Sequence, residues 1–182
     1  MLLLIAAAAS CSKTAKDRPK ADEPELITTL RIKAVAADNP DEVSYFVYKV
    51  ENGFHGRTQV SLRVDTIRLR AGSTYHVALS VSDEKKSPPV DVTPEIIEER
   101  NAHLFYYIST PASGSGAIDV YDRDKDHHGQ DFARTCTWRT HQAGSGQMAI
   151  ELIHGPRDKE AADRNAIAGS TDAVTVFSVQ LY

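Results

Sequence analysis

Apolar and polar residues alternate along most of the chain after residue 25. In the stretch 26–34, Leu26, Leu30 and Ile32 fall on one side, whereas Arg31 and Lys33 fall on the other. A period of two residues is typical of a strand with one buried and one solvent-facing side. The same extended pattern returns at 43–50, 59–64, 67–81, 103–110, 117–121, 132–140, 147–154 and 172–182. The pattern therefore predicts a protein built mainly of short strands.

One segment, 91–101, has a helical pattern instead. Thr93 is a residue type that caps helices, Pro94 suits a first turn, and Glu95 favours the positive end of the helix dipole. The chain shows no internal repeat and no alternation of strands with long helices. Many short strands, turn residues between them and one short connecting helix favour an all-β fold, an immunoglobulin-like antiparallel β-sandwich with Greek-key connections.

The stretch 67–81 gives the most specific prediction within this fold class. Leu69 is followed by a turn at Ala71-Gly72 and then by Tyr75 at the start of a strand. This arrangement resembles the tyrosine corner of immunoglobulin-like sandwiches. In such corners the ring packs in the core and the hydroxyl bonds to backbone nearby, so we expect both of Tyr75.

The N-terminus predicts where the protein is located. Residues 2–9 form an apolar run far below the ~20 residues that span a bilayer, and small residues lead from it to Cys11, as in a lipoprotein signal. We expect cleavage before Cys11 and acylation of its thiol, since each buried methylene of an acyl chain contributes about 0.8 kcal/mol of membrane binding. No Lys or Arg precedes the run, and residue 8 is Ala instead of Leu. An ordinary secretory signal and a cytoplasmic chain with an unusual start are therefore the alternatives.

The chain is thereby divided into a signal peptide (1–10), a lipidated cysteine with a tether (11–25) and a β-sandwich domain (26–182). The tether mixes both signs of charge, contains two prolines and lacks large apolar residues, so it cannot bury enough surface to fold. The net charge of −4 over 182 residues argues against a nucleic-acid partner. The other cysteine, Cys136, has no disulfide partner if Cys11 is acylated, and we expect it to be buried.

The segment 122–131, DRDKDHHGQD, is the strongest local candidate for metal binding. Its candidate ligands are Asp122, Asp124, Asp126, His127 and His128. Aspartates at alternate positions suit calcium, whereas imidazole suits zinc or copper. Compared with an EF-hand loop, His127 replaces the glycine of the sharp turn and Ala133 replaces the bidentate glutamate. Three interpretations stay open: a solvated hairpin turn, a calcium site and a transition-metal site.

Two further histidines, His103 and His154, border predicted strands. If they converge in the folded protein, they could ligate zinc together with a carboxylate such as Glu99; otherwise they are structural histidines. We expect the three histidines His55, His76 and His141 to be only surface or hydrogen-bonded residues. The chain lacks G-x-S-x-G, H-E-x-x-H, G-x-G-x-x-G and P-loop motifs, so we predict neither an enzyme nor a bound organic cofactor.

Several short motifs occur together along the chain. They are ELITT at 25–29, L-x-A-G-x-T-Y at 69–75, DVT at 91–93 with the acidic helix leading to His103, Y-D-x-D at 121–124, L-x-H at 152–154 and GSTD at 169–172. As a set they resemble a family of small envelope lipoproteins of Bacteroidetes-type bacteria, some of which carry a periplasmic-binding-fold label that the strand pattern does not support. The chain departs from the family pattern at 126–129. The resemblance implies an envelope lipoprotein and brings no activity or site residues.

These observations predict a non-catalytic lipoprotein of the outer membrane, anchored through Cys11 and acting with an envelope partner protein. This function requires an exposed apolar or edge-strand surface on the folded domain. The alternative is a lipoprotein that carries a metal ion or small ligand on Asp and His residues, which requires at least three converging ligand atoms. A hydrolase with a non-obvious site is the third possibility, and it requires a deep pocket.

Overall fold

The computed structural model of the protein describes residues 26–54 and 59–182. Within these ranges the strands are β1 (Thr29–Ala36), β2 (Asn39–Val50), β3 (Ser61–Val64), β4 (Ile67–Leu69), β5 (Thr74–Asp83), β6 (Val90–Asp91), β7 (His103–Thr110), β8 (Ile118–Tyr121), β9 (Thr135–Thr140), β10 (Gly144–His154) and β11 (Ser170–Leu181). The helices are α1 (Thr93–Glu98) and α2 (Arg164–Ile167), and a 3-10 turn covers Arg100–Ala102. The predicted signal peptide, Cys11 and the tether lie outside the described residues, as does His55.

The strands of the described residues form two sheets. Sheet A has the order β3-β2-β1-β5-β9-β8, with β6 added beside β5, and sheet B has the order β4-β11-β10-β7. All neighbours are antiparallel except β4 and β11, which pair in parallel. The predicted all-β sandwich is therefore confirmed, with one parallel pair added to the antiparallel arrangement. No helix of residues 26–54 and 59–182 is long and apolar enough to cross a membrane.

The inner faces of the two sheets share one hydrophobic core. Alternate residues point into it, such as Leu30 and Ile32 of β1 and Ile150 and Leu152 of β10. Aromatic side chains connect the sheets, and the rings of Tyr107 in β7 and Trp138 in β9 meet edge to face with centroids 6.3 Å apart. Each large apolar side chain buried in this way contributes about 1.5–3 kcal/mol, so the core is the main source of stability.

The tyrosine corner is present as predicted. Tyr75 is buried at the start of β5, and its hydroxyl accepts a hydrogen bond from the backbone N–H of Arg70 at 2.9 Å. Gly72 in the intervening turn has a φ of +62° and donates its N–H to the carbonyl of His141. The corner thus fixes the path of the chain from β4 in one sheet to β5 in the other.

The helical segments differ from the prediction. Thr93 does not cap α1; its hydroxyl bonds to the backbone N–H and carbonyl of Val81 in β5, and its own N–H donates to the side chain of Asp91. The sequence predicts one helix, but the segment 155–171 contains a second, α2, and Ile167 of this helix is fully buried. This segment is therefore part of the packed structure.

Replacing Tyr75 by Phe tests the corner. The ring can still pack, but the Arg70 amide loses its acceptor, and we expect the free energy of unfolding to fall by about 1–2 kcal/mol in chemical denaturation. Tyr45→Phe is the control because Tyr45 is 63% exposed, and it should change stability by less than about 0.5 kcal/mol. Equal effects of the two substitutions would contradict a structural role of the Tyr75 hydroxyl.

Candidate functional site

Three side chains with metal-binding atoms converge at one end of sheet B: His103, His154 and Asp172. One ligand atom of each lies within 4.8 Å of the other two. They form the one such group of His, Cys, Asp or Glu found in residues 26–54 and 59–182. We call these three residues the histidine–aspartate cluster.

Strand register brings the two histidines together. Antiparallel pairing of β7 with β10 places His103 directly opposite His154. Phe105 and Leu152, each two positions further into its strand, are buried in the core. Because side chains alternate along a strand, His103 and His154 lie on the same inner side of the sheet as these two residues. The imidazole centroids are 4.7 Å apart, with the ring planes inclined by 48°. His103 and His154, for which the sequence left both convergence and a purely structural role open, therefore lie side by side in the structure.

Asp172 joins the histidines through a β-bulge. Between β10 and β11, Leu152 pairs with Ala173 and the next residue, Ile153, pairs with Thr171, so Asp172 is an extra residue in its strand. Asp172 and Ala173 are both buried, whereas regular alternation would place one of them on the outer face. The bulge therefore turns a carboxylate toward the two imidazoles.

The atoms of the cluster have a defined arrangement. Asp172 Oδ2 lies 3.4 Å from His103 Nε2 and 3.8 Å from His154 Nδ1. His103 Nδ1 lies 3.1 Å from the backbone oxygen of Glu99, and since a carbonyl oxygen only accepts, Nδ1 carries a proton. Glu99, expected as the carboxylate ligand, thus contributes its backbone instead. His103 and Asp172 are buried, whereas the His154 side chain is 30% exposed and opens the cluster to solvent on one side.

Two glycines allow the strand ends around the cluster to approach each other. The N–H of Gly155 donates to the carbonyl of Ala102 at 2.8 Å and ties the end of β10 to the residue before β7. Gly169, before β11, has a φ of +81°, and a Cβ atom there would lie 2.5 Å from the carbonyl oxygen of His154. A side chain at position 169 would push β11, and with it Asp172, away from the histidines.

The five predicted metal ligands of the 122–131 segment are either hydrogen-bonded to backbone groups or exposed to solvent. Asp124 accepts the N–H of Thr135 through its side chain, and Asp126 accepts the N–H groups of His128 and Gln130. The side chains of Asp122, His127 and His128 are exposed. None of the five predicted residues Asp122, Asp124, Asp126, His127 and His128 belongs to the converging group in the described part of the chain.

Asp126 instead forms a buried ion pair with Lys159. Its Oδ2 accepts from Lys159 Nζ at 2.7 Å, and the two side chains are 0% and 2% exposed. Burial acts to raise the pKa of Asp126, but hydrogen bonds from Lys159 and from backbone N–H groups outweigh it, and the pKa lies below its usual value. Lys159 also donates to the carbonyl of Arg100 in the 3-10 turn. The ion pair therefore holds the 122–131 segment against the turn that leads to His103.

Strand β3 at the border of sheet A is a second candidate for function. All four of its residues are exposed, and no strand of the described residues pairs with its outer side. Val60, Leu62 and Val64 expose apolar side chains there, and we call them the β3 edge. An exposed edge with unpaired backbone groups and apolar side chains readily accepts another strand. The surface required by the partner-binding hypothesis is therefore present.

The cluster was only partly predictable. His103 and His154 border predicted strands in the sequence. For Asp172, by contrast, the sequence pattern predicts only the first residue of a regular strand. A signal for its special position is the glycine at 169 shortly before it, since glycine often marks a bulge or a close approach of backbone. Two of the other histidines follow expectation: His76 is exposed, and His141 Nε2 lies 2.9 Å from a carboxylate oxygen of Asp119.

No family model matches the chain, and comparison with curated proteins and with solved structures gave no match either. The function of the protein is therefore inferred from the histidine–aspartate cluster and the β3 edge.

The buried ion pair makes a testable prediction. Lys159→Met leaves the Asp126 carboxylate buried without its cation, and we expect the free energy of unfolding at neutral pH to fall by about 3–5 kcal/mol in chemical denaturation. Lys125→Met is the control, because Lys125 is about half exposed and its ion pairs contribute less than about 1 kcal/mol.

The loss caused by Lys159→Met should shrink in acid. The lowered pKa of Asp126 means that the ion pair stabilises the native protein above the unfolded-state pKa and ceases to do so as the pH falls through the folded-state pKa. A protonated Asp126 in the variant no longer needs a cation. A loss that is independent of pH, or equal to that of Lys125→Met, would contradict the assigned role.

Proposed function

We propose that this protein is a non-catalytic lipoprotein of the cell envelope, anchored in the outer membrane through Cys11, whose β-sandwich binds a partner protein at the β3 edge. The single observation that carries the proposal is the exposed, apolar edge of sheet A. The partner contributes an extended segment that adds a strand beside β3. Main-chain hydrogen bonds supply affinity in this mode of binding, and contacts with alternate side chains supply specificity.

The chemistry of β3 supports strand addition. Natural edge strands are commonly protected by charged side chains, proline, β-bulges or cover from a neighbouring element, and of these β3 has one charged residue and a register shift against β2. The charged residue of β3, Arg63, is engaged by Asp65 through two hydrogen bonds of 2.9 and 2.8 Å. Asp65 also accepts the N–H of Val47 in β2, so this ion pair is held close to the sheet. Leu62 and Val64 are consequently the side chains that β3 offers to a partner.

The length of the N-terminal segment is compatible with this function. Residues 11–25 separate the proposed lipid anchor from the sandwich, and fifteen residues reach at most about 50 Å. A sandwich attached in this way stays near the membrane and can still meet a partner in the envelope. The absence of the catalytic motifs sought in the sequence supports a binding role over an enzymatic one.

The anchor is tested by metabolic labelling with a palmitate analogue in cells that express the whole chain. Cys11→Ser should abolish labelling and release the protein from the membrane fraction, because the acceptor thiol is missing. Cys136→Ser should keep both label and membrane association, since Cys136 is a buried residue of β9. Membrane association of the Cys11→Ser protein equal to that of the unmodified chain would overturn the proposed anchor.

The β3 edge is tested by crosslinking in cells with a photoreactive amino acid at position 64 or at position 176. These valines are 44% and 45% exposed, but Val176 belongs to β11 of sheet B, the sheet that does not contain β3. We expect a discrete crosslinked partner from position 64 only, and its loss when Leu62→Lys is added. Equal crosslinking from both positions, or a product unaffected by Leu62→Lys, would contradict strand addition at β3.

A further inference from the structure

We propose that the histidine–aspartate cluster is a binding site for a divalent transition-metal ion, and that zinc is the ion it fits best. His103 Nε2, His154 Nδ1 and Asp172 Oδ2 are the three ligand atoms. The fourth position faces the side on which His154 is exposed to solvent. The site is separate from the proposed partner surface, because the cluster belongs to sheet B and the β3 edge to sheet A.

The hydrogen bond of His103 directs one of its ring nitrogens toward Asp172. Its Nδ1–H donates to the carbonyl of Glu99, so a neutral His103 presents a lone pair at Nε2. This lone pair faces a carboxylate oxygen of Asp172 at 3.4 Å in a buried position. Two electron-rich atoms in this arrangement repel each other unless a positive charge lies between them. The charge is either a metal ion or a proton shared between His103 and Asp172.

The position of His154 distinguishes a metal ion from a proton. One proton joins His103 to Asp172 and has no need of a second imidazole, yet His154 Nδ1 lies 3.8 Å from the same Asp172 oxygen. An imidazolium at His103 would also have a second imidazole centred 4.7 Å away, whose ring nitrogens compete for the same carboxylate. Two imidazoles and one carboxylate around a common point are the ligand types that zinc takes in sites with three protein ligands.

The two separations measured from Asp172 Oδ2 are compatible with a tetrahedral zinc ion. Zinc binds nitrogen and oxygen ligands at about 2.0–2.1 Å, so two ligands at the tetrahedral angle lie about 3.3 Å apart. The separations of 3.4 and 3.8 Å from Asp172 Oδ2 are within half an ångström of this value. An octahedral ion with metal–oxygen distances of about 2.1 Å has neighbouring ligands about 3.0 Å apart, which fits less well.

The surroundings of the cluster are those of a metal site. A ligating histidine commonly donates its other ring N–H to a carbonyl or carboxylate, which fixes its tautomer, and Glu99 supplies this carbonyl to His103. The three ligands stand at the ends of β7 and β10 and at the bulge of β11, so a bound ion connects three strands. Because the unfolded chain lacks this arrangement of ligands, binding of the ion stabilises the native state.

The test is thermal unfolding and calorimetric titration of the whole chain in detergent, first with chelator and then with zinc or calcium. Zinc should bind with one ion per chain and, at one hundred times its dissociation constant, raise the unfolding midpoint by roughly 5–10 °C. Calcium should leave the midpoint unchanged, since it requires six to eight oxygen ligands. His154→Gln, at a half-buried position, should abolish the zinc-dependent shift, and circular dichroism with chelator shows whether this variant is folded.

His141→Gln is the matched control. His141 is 30% exposed, like His154, and also faces a carboxylate, that of Asp119, but it belongs to no group of three ligands in the described residues. The zinc-dependent shift should persist in this variant. The proposal is overturned if zinc produces no shift, if the shift persists in His154→Gln, or if it is lost equally in His141→Gln.

Discussion

The packing of two sheets face to face is the constraint on which the rest of the structure depends. It forces a two-residue alternation on every strand and fills the interior with apolar side chains from both sheets. At the end of sheet B where β7 begins and β10 ends, polar residues enter the interior: His103, Asp172, and the pair of Asp126 and Lys159. Buried polar groups are stable only with partners of matching charge and geometry. The bulge in β11 and the glycine at 169 allow the chain to bring such partners together at this end of the sheet.

The polar end of the sandwich consists of two arrangements with different chemistry. In the pair of Asp126 and Lys159, the cation is a side chain of the protein, and the Asp126 carboxylate has all of its described partners within the chain. In the histidine–aspartate cluster, the carboxylate faces ring nitrogens that carry a cation only when they bind a proton or a metal ion. The first arrangement is therefore structural and holds the 3-10 turn in place, whereas the second has the properties of a ligand site.

The sequence was sufficient for the fold class but for only part of the site. Alternation predicted the strands, and the spacing from Leu69 to Tyr75 predicted the tyrosine corner, because both depend on local geometry. His103 and His154 were recognisable as candidate metal ligands because both border predicted strands. Asp172 was not, since its direction depends on a bulge that changes the register by one residue. The aspartates at 122–131 look like ligands in the sequence, yet the cation that pairs with Asp126 is Lys159, 33 residues further along the chain. Contacts of this range are set by tertiary packing.

A crystal structure of the protein grown with zinc, with diffraction data collected on both sides of the zinc absorption edge, tests directly whether the histidine–aspartate cluster binds a metal ion. We expect one anomalous peak about 2.0–2.2 Å from His103 Nε2, His154 Nδ1 and Asp172 Oδ2. A cluster without a peak, in which His103 and Asp172 form a direct hydrogen bond, would contradict it, as would zinc bound only to residues 122–131.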